Sequence, residues 1–228
     1  MSDEHDFSIG DLVIYKNNQL VAFNKPSGLA VQHDQGDNKS LHALGEIYTK
    51  GKLFIIHRLD QPASGVILFA KTPNALVSLN EQFRSRETQK TYLAVVGEMP
   101  AEPEGMLVHY LRKDGKQNKS QAYDKPSPGS KRAELSYKHL ASSDRYHLLE
   151  VNLHTGRHHQ IRAQLAAIGC PIKGDVKYGF RRSNRDRSIH LHAWKLNFVH
   201  PVSKEKESLQ ASLPANDPVW DAFGDQLQ

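Results

Sequence analysis

The sequence predicts an α+β protein in which a mixed, mainly antiparallel sheet carries a few packed helices. Three observations lead there. Apolar runs of strand length recur at short intervals and are bounded by Gly, Pro, Asn and Asp. Three stretches carry apolar residues at helical spacing, too few for a helical bundle. Neither an internal repeat of fixed period nor a heptad array is present. At 228 residues the chain is long enough for a substantial core and is expected to form a single domain over 1–228.

Taken in order, residues 12–16 and 20–23 should pair as a hairpin across Asn17-Asn18, since Asn tolerates the backbone of a tight turn. Structure is therefore expected almost from the first residues, with no room for a further domain ahead of it. Lys25-Pro26-Ser27-Gly28-Leu29 follows as a loop, and residues 40–48 as a short helix with Leu41, Leu44 and Ile47 on one face. The apolar runs 53–56 and 66–70 both read as buried strands. Between them lie Arg58 and Asp60, charged groups that are costly in such surroundings unless paired or at work. Pro62 and Gly65 mark a turn, so Asp60 is expected where a strand leaves the sheet, a position that suits catalytic residues. An aspartate that merely caps this turn is the alternative.

Residues 74–84 carry Leu76, Leu79 and Phe83 at helical spacing. Residues 88–97 form a strand with Tyr92, Ala94 and Val96 on one face and Leu93 and Val95 on the other. The Lys-, Gln-, Ser-, Pro- and Gly-rich stretch 111–132 is predicted to be a long basic loop, and 134–140 with 146–153 another strand pair. A helix should open at Thr155-Gly156, with Ile161, Leu165 and Ile168 along one stripe and Gly169 and Pro171 ending it. A second basic loop, 181–187, holds four arginines including Arg181, Arg182 and Arg185, and 189–198 is a further strand.

Thirty Lys and Arg against 25 Asp and Glu give a net charge of +5, which favours a polyanionic partner. Cys170 is the single cysteine, which excludes an intrachain disulfide framework and a thiolate-rich zinc site and fits a reducing, cytoplasmic setting. The first ten residues are polar and acidic, unlike a signal or transit peptide, and no apolar run approaches the ~20 residues of a membrane-spanning helix. Among 13 histidines, His158-His159 and His190-x-His192 raise the question of a metal, but the spacings do not supply three or four ligands, and none is expected. The stretch Thr155-Gly156-Arg157-His158-His159-Gln160-Ile161-Arg162 crowds cations onto the start of a helix, where the helix dipole opposes them. Either an anion binds there or the turn is simply solvated. Arg162, beside the apolar Ile161, is placed to seek a buried carboxylate.

Asn24-Lys25-Pro26-Ser27-Gly28-Leu29, His57-Arg58-Leu59-Asp60-Gln61-Pro62-Ala63-Ser64-Gly65, Lys90-Thr91-Tyr92-Leu93-Ala94, His154 to Arg162, Gly174-Asp175-x-x-Tyr178-Gly179, Leu191-His192-Ala193-Trp194 and Phe198-x-His200-Pro201 form an ordered set. The set resembles the motifs of the RluA-type family of pseudouridine synthases over most of the chain. Ala63 departs from the Thr usual there.

The resemblance implies the pseudouridine synthase fold, two subdomains with a catalytic cleft between them. It also implies isomerisation of specific uridines in structured RNA, ribosomal or transfer, by a cytoplasmic enzyme, here taken as a monomer, that needs no metal or organic cofactor. By analogy Asp60 acts on the ribose of a flipped-out nucleotide, Tyr92 stacks on the uracil and takes the C5 proton, and Arg162 pairs with Asp60. Arg58 fills the vacated stack, and His57, Lys25, Arg157, Arg181, Arg182 and Arg185 contact RNA. A catalytically silent RNA-binding or ribosome-assembly protein on the same fold is the alternative, and a metal-dependent hydrolase built on the histidines a more distant one.

Overall fold

The computed structural model describes residues 7–32, 40–224 and 226–227; the acidic start read from the sequence lies largely outside them. An 11-stranded sheet organises the chain. Strands β1 (Val13–Lys16) and β2 (Leu20–Lys25) form the first hairpin. Its turn is closed by the Asn17 side chain, whose Oδ1 accepts the N–H groups of Gln19 and Leu20 at 2.8 Å each, so the asparagine acts through its amide rather than through a positive φ. The other strands are β3 (Phe54–Ile55), β4 (Ser64–Ala70), β5 (Gln89–Val96), β6 (Glu104–Asp114), β7 (Lys119–Tyr123), β8 (Lys131–Ser142), β9 (His147–Leu153), β10 (Leu191–Val199) and β11 (Lys206–Gln210). Their order is β1-β2-β4-β10-β5-β9-β8-β6-β7, with β3 on β4 and β11 on β10. Every pairing is antiparallel except β4 with β10, a short parallel seam at His192↔Ser64 and Ala193↔Gly65.

That seam divides the sheet into two halves. In β2, Val21 and Phe23 face α1 (Leu41–Thr49), while Leu20 and Ala22 face α2 (Pro73–Ser85), so one half is covered on both sides. Both helices start at side-chain caps, Ser40 to Ala43 N–H at 3.2 Å and Thr72 to Ala75 N–H at 3.3 Å. In the other half, β5 sends Tyr92, Ala94 and Val96 towards α3 (Gln160–Ala167). Leu93 and Val95 point towards Trp194 and α4 (Pro218–Gly224), which contributes Trp220 and Phe223. The β5 faces therefore match the alternation of its sequence. At the seam Gly65 has φ +115°, and a Cβ on it would lie 2.3 Å from the carbonyl oxygen of Ala193. Only glycine lets the two strands approach there.

Several expectations are corrected. Residues 111–132 are not a long loop: they hold the end of β6, all of β7 and the start of β8. The apolar run 53–56 contributes only the two-residue, half-buried β3, so Asp60 does not leave a buried strand but precedes β4 in an irregular segment. The helix expected from Thr155 begins at Gln160, because the Gln160 side chain ties down the preceding turn. Its Oε1 accepts from Thr155 Oγ1 at 2.8 Å and from the Arg157 N–H at 3.0 Å. Strand β11 and helix α4 had no counterpart in the expectations. Among the described residues no helix is long and apolar enough to cross a membrane.

Candidate active site

A cleft of about 1200 Å³ opens where residues 56–62, β5 and the turn before α3 converge. Asp60 lies in it on a braced turn. The Ala63 N–H donates to the Asp60 carbonyl at 3.1 Å, the Gly28 N–H to the Gln61 carbonyl at 2.9 Å, and the Ile189 N–H to the Pro62 carbonyl at 3.0 Å. Gln61 Nε2 returns a bond to the Gly28 carbonyl at 2.9 Å. The first motif loop is thus clamped against the Asp60 turn. Lys25 completes the clamp, with its fully buried ammonium donating to the carbonyls of Pro26 and Leu29 at 2.8 Å and of Gln61 at 3.2 Å. Burial pushes its pKa down to about 7 against the opposing pull of Asp60. Expected to touch RNA, Lys25 instead has no exposed surface with which to do so.

Arg162 is the second fixed point. Its Nη1 donates to Asp60 Oδ2 at 2.9 Å, while Nε and Nη2 form a bidentate pair with Asp175 at 2.7 and 2.9 Å. The expected Asp60 partner is therefore present, but Asp175, 1% exposed at its side chain, takes the larger share of the guanidinium. Burial alone would weaken the charge on Arg162; the bonds and charge of Asp175, with those of Asp60, outweigh it and raise the pKa. Removing one member of a buried pair of this kind costs about 3–5 kcal/mol. The Arg162 guanidinium also lies 5.0 Å over the Tyr178 ring. Asp175 and Tyr178 were not among the candidate residues; their shared Gly174-Asp175-x-x-Tyr178-Gly179 motif was the signal for them.

Tyr92 lines the cleft from β5 and is 9% exposed. Burial, and then the charge of Asp60, push its phenol pKa up, so it stands protonated in the free protein. Arg58 and Arg157 line the cleft and are exposed, the latter anchored by Nε on the Arg132 carbonyl at 3.2 Å. His57 also lines the cleft but is no cation. Its Nε2 accepts the Leu68 N–H at 3.0 Å, its ring stacks on Phe83, and burial, with Lys90 adding to it, pushes its pKa down to about 3. Arg181, Arg182 and Arg185 sit in an exposed loop, as expected of 181–187, but outside the cleft lining.

In their place the cleft wall carries cations that were not among the candidate site residues: Arg84, Arg86, Lys113, Lys177 and Lys90, the last at the start of the Tyr92 motif. With Arg58, Arg157 and Arg162 they make eight Lys and Arg against one carboxylate, Asp60, among the described lining residues. Such a wall attracts a polyanion and repels basic peptides. Of the paired histidines read from the sequence, His192 Nδ1 lies 2.8 Å from Ser64 Oγ, and His190 stacks on Trp220 and approaches Asp217. Among the described residues no group of three or more His, Cys, Asp or Glu could hold a metal ion.

The family model for RNA pseudouridylate synthase matches residues 19–167. The chain belongs to the RNA pseudouridylate synthase family. Within it the chain is 32% identical over 231 residues to a tRNA pseudouridine synthase C of Pectobacterium carotovorum, covering 92% of this chain and 59% of the relative. It is 32% identical to a ribosomal large subunit pseudouridine synthase C of Vibrio cholerae, covering 90% and 66%. A tRNA pseudouridine synthase C of Haemophilus ducreyi is 31% identical, with 94% and 95% covered. The chain thus spans less than two thirds of the first two relatives and nearly all of the third. Among solved structures, human RNA pseudouridylate synthase domain containing 4 superposes with a TM-score of 0.75 at 25% identity, covering 96% of this chain and 94% of that one. The pseudouridine synthase fold, with its mixed sheet in two halves and a cleft between them, is the fold of this family member.

Proposed function

We propose that this protein isomerises uridine to pseudouridine within an RNA chain, with Asp60 as the group that acts on the ribose. The observation that carries the reading is the placement of Asp60: among the described residues it is the sole carboxylate lining a cleft of eight cations, tied to Arg162 at 2.9 Å and open enough, at 26% side-chain exposure, to meet a substrate. The cations hold the phosphates on either side of the target, and the target nucleotide leaves its stack to reach the carboxylate, at a cost of a few kcal/mol. Arg58, exposed at the cleft wall, supplies a planar group to occupy the vacated place.

Asp60 either attacks C1′ or removes the C2′ proton; each route releases uracil, which turns so that C5 bonds to C1′. Tyr92 stacks on the base and is the proton acceptor for C5. In the free protein burial, and then the charge of Asp60, oppose tyrosinate. The proton balance closes within the base: N1 leaves with the electron pair of the broken bond, so the phenol proton goes to N1 and the phenolate then takes the proton that C5 must lose. The names of the relatives leave transfer and ribosomal RNA both in view as substrates.

The test is Asp60→Asn, which keeps size and replaces the carboxylate by an amide. Assayed on total RNA from cells lacking the gene, the wild-type chain should form pseudouridine and Asp60→Asn should form none, a loss of at least about 10⁴-fold in rate, while retaining RNA affinity and melting temperature. Full turnover by Asp60→Asn would end the proposal.

A further inference from the structure

The turn before α3 presents a group that this chemistry leaves unused. His159 has φ 51°, a left-handed backbone that is costly for a residue with a Cβ and persists where surrounding contacts hold it. Its Nδ1 lies 3.0 Å from Tyr178 Oη, and that oxygen accepts the backbone N–H of Ser120 at 2.8 Å. An amide N–H only donates, so the phenol proton is free to go to His159 Nδ1. Nδ1 is then the acceptor, and the ring proton sits on Nε2. The imidazole is neutral: burial pushes its pKa down to about 3, with Arg162, His158 and Lys177 acting in the same direction and Asp60 against it.

Nε2 lies 3.7 Å from Asp60 Oδ2, beyond hydrogen-bond reach, and that oxygen is already held by Arg162. Among the described residues this N–H has no acceptor within reach, and the ring lines the cleft. A neutral donor directed at the carboxylate that works on the sugar faces that sugar. Phosphates are served by the cations of the wall, and the base lies towards Tyr92.

We propose that His159 Nε2–H hydrogen-bonds the 2′-oxygen of the target uridine, with Tyr178 and the Ser120 amide fixing the tautomer that makes it a donor. The inference rests on the reading of Asp60 as the ribose-directed group. It makes His159 a substrate-binding residue that separates RNA from DNA at the reacting nucleotide, since the 2′-hydroxyl is what differs between them.

The probe is a synthetic stem-loop spanning a uridine that the wild-type chain modifies, made with ribose or with 2′-deoxyribose at that one position. Single-turnover rates are compared for wild type, His159→Ala, His159→Gln and Tyr178→Phe, with melting temperatures alongside. The wild-type chain should lose about tenfold on the deoxy target, the size of one neutral hydrogen bond. His159→Ala should lose about tenfold on the ribose target and nothing more on the deoxy one. His159→Gln, whose amide carries a donor to about the same reach, should recover most of the rate. Tyr178→Phe, keeping the ring and removing the tautomer lock, should lessen the discrimination with His159 still present. If His159→Ala discriminates ribose from deoxyribose as strongly as wild type, or is as fast on the ribose target, the inference fails while the function stands. A wild-type chain that forms no pseudouridine in any RNA overturns the reading of Asp60 and this inference with it.

Discussion

Lys25 was expected on the RNA face and is found inside the protein, and the difference comes from what a sequence reveals about a lysine. Its neighbours Pro26, Ser27 and Gly28 are loop formers, and a cation in a loop reads as a solvated one. Three carbonyl oxygens converging from Pro26, Leu29 and Gln61 belong to a tertiary arrangement that spacing does not encode. Lys25 therefore acts as a brace on the Asp60 turn. Lys25→Met keeps the length of the aliphatic stem and leaves those carbonyls unpaired in the interior, so stability should fall by a few kcal/mol. The rate of pseudouridine formation should fall with it, because the Asp60 turn loses an anchor. RNA affinity of the folded fraction should stay within about twofold. Urea denaturation and filter binding test the two halves of this statement; unchanged stability with lost affinity would return Lys25 to the RNA face.

Elements whose apolar residues repeat over several periods were legible, and those without such a run were not, including the short α4 despite its buried Trp220 and Phe223. The first hairpin, α1, α2, β5, β8, β9 and β10 fall within a few residues of the expected bounds because each repeats apolar residues at period 2 or 3.6. In β6 the apolar Met106 and Val108 are exposed, and β7 is an edge strand reading Lys119-Ser-Gln-Ala-Tyr123, so neither carries the alternation that marks a half-buried strand. Polar residues and lysines on edge strands prevent pairing with other chains, and the same composition reads as loop. The site was legible in the same uneven way: Asp60, Tyr92, Arg58 and Arg162 meet in one cleft. Asp175 and Tyr178 have roles that appear only once the chain is folded. The β6–β7 hairpin has a functional consequence, because Lys113 and Asn118 line the cleft. Lys113→Ala should raise KM several-fold with kcat nearly unchanged, and should flatten the slope of log affinity against log salt by about 0.7–0.9, one phosphate contact. A fall in kcat at saturating RNA would instead put Lys113 in the chemistry.

At the scale of the whole molecule, two half-sheets with separate cores meet along a seam of two parallel residue pairs, and the same seam carries a buried titratable group. His192 is fully buried on β10, between Ser64 across the seam at 2.8 Å and the Ala211 carbonyl at 3.4 Å. With Nε2–H directed at that carbonyl, Nδ1 accepts from the Ser64 hydroxyl, and neither nitrogen has room for a second proton. Burial pushes its pKa down to about 4, against a small opposite pull from Ala211.

The sign follows from proton counts. Unfolded, the imidazole titrates near 6.5; folded, near 4; between those values the unfolded chain holds a proton that the folded chain lacks. Stability is therefore full above about pH 6.5 and declines as pH falls towards 4, by up to about 1.4 kcal/mol per pH unit for one such group. His57 and His159, each pushed down to about 3, decline in the same direction over a wider window. Urea midpoints measured from pH 7 to pH 4.5 should drop steeply for the wild-type chain. His192→Gln, which cannot take up a proton, should start lower at pH 7, since the seam contact with Ser64 is disturbed, yet fall with a slope shallower by about 1.4 kcal/mol per pH unit. Parallel lines for the two proteins would mean that His192 is protonated in the folded state, and that the seam tolerates a charge at its centre.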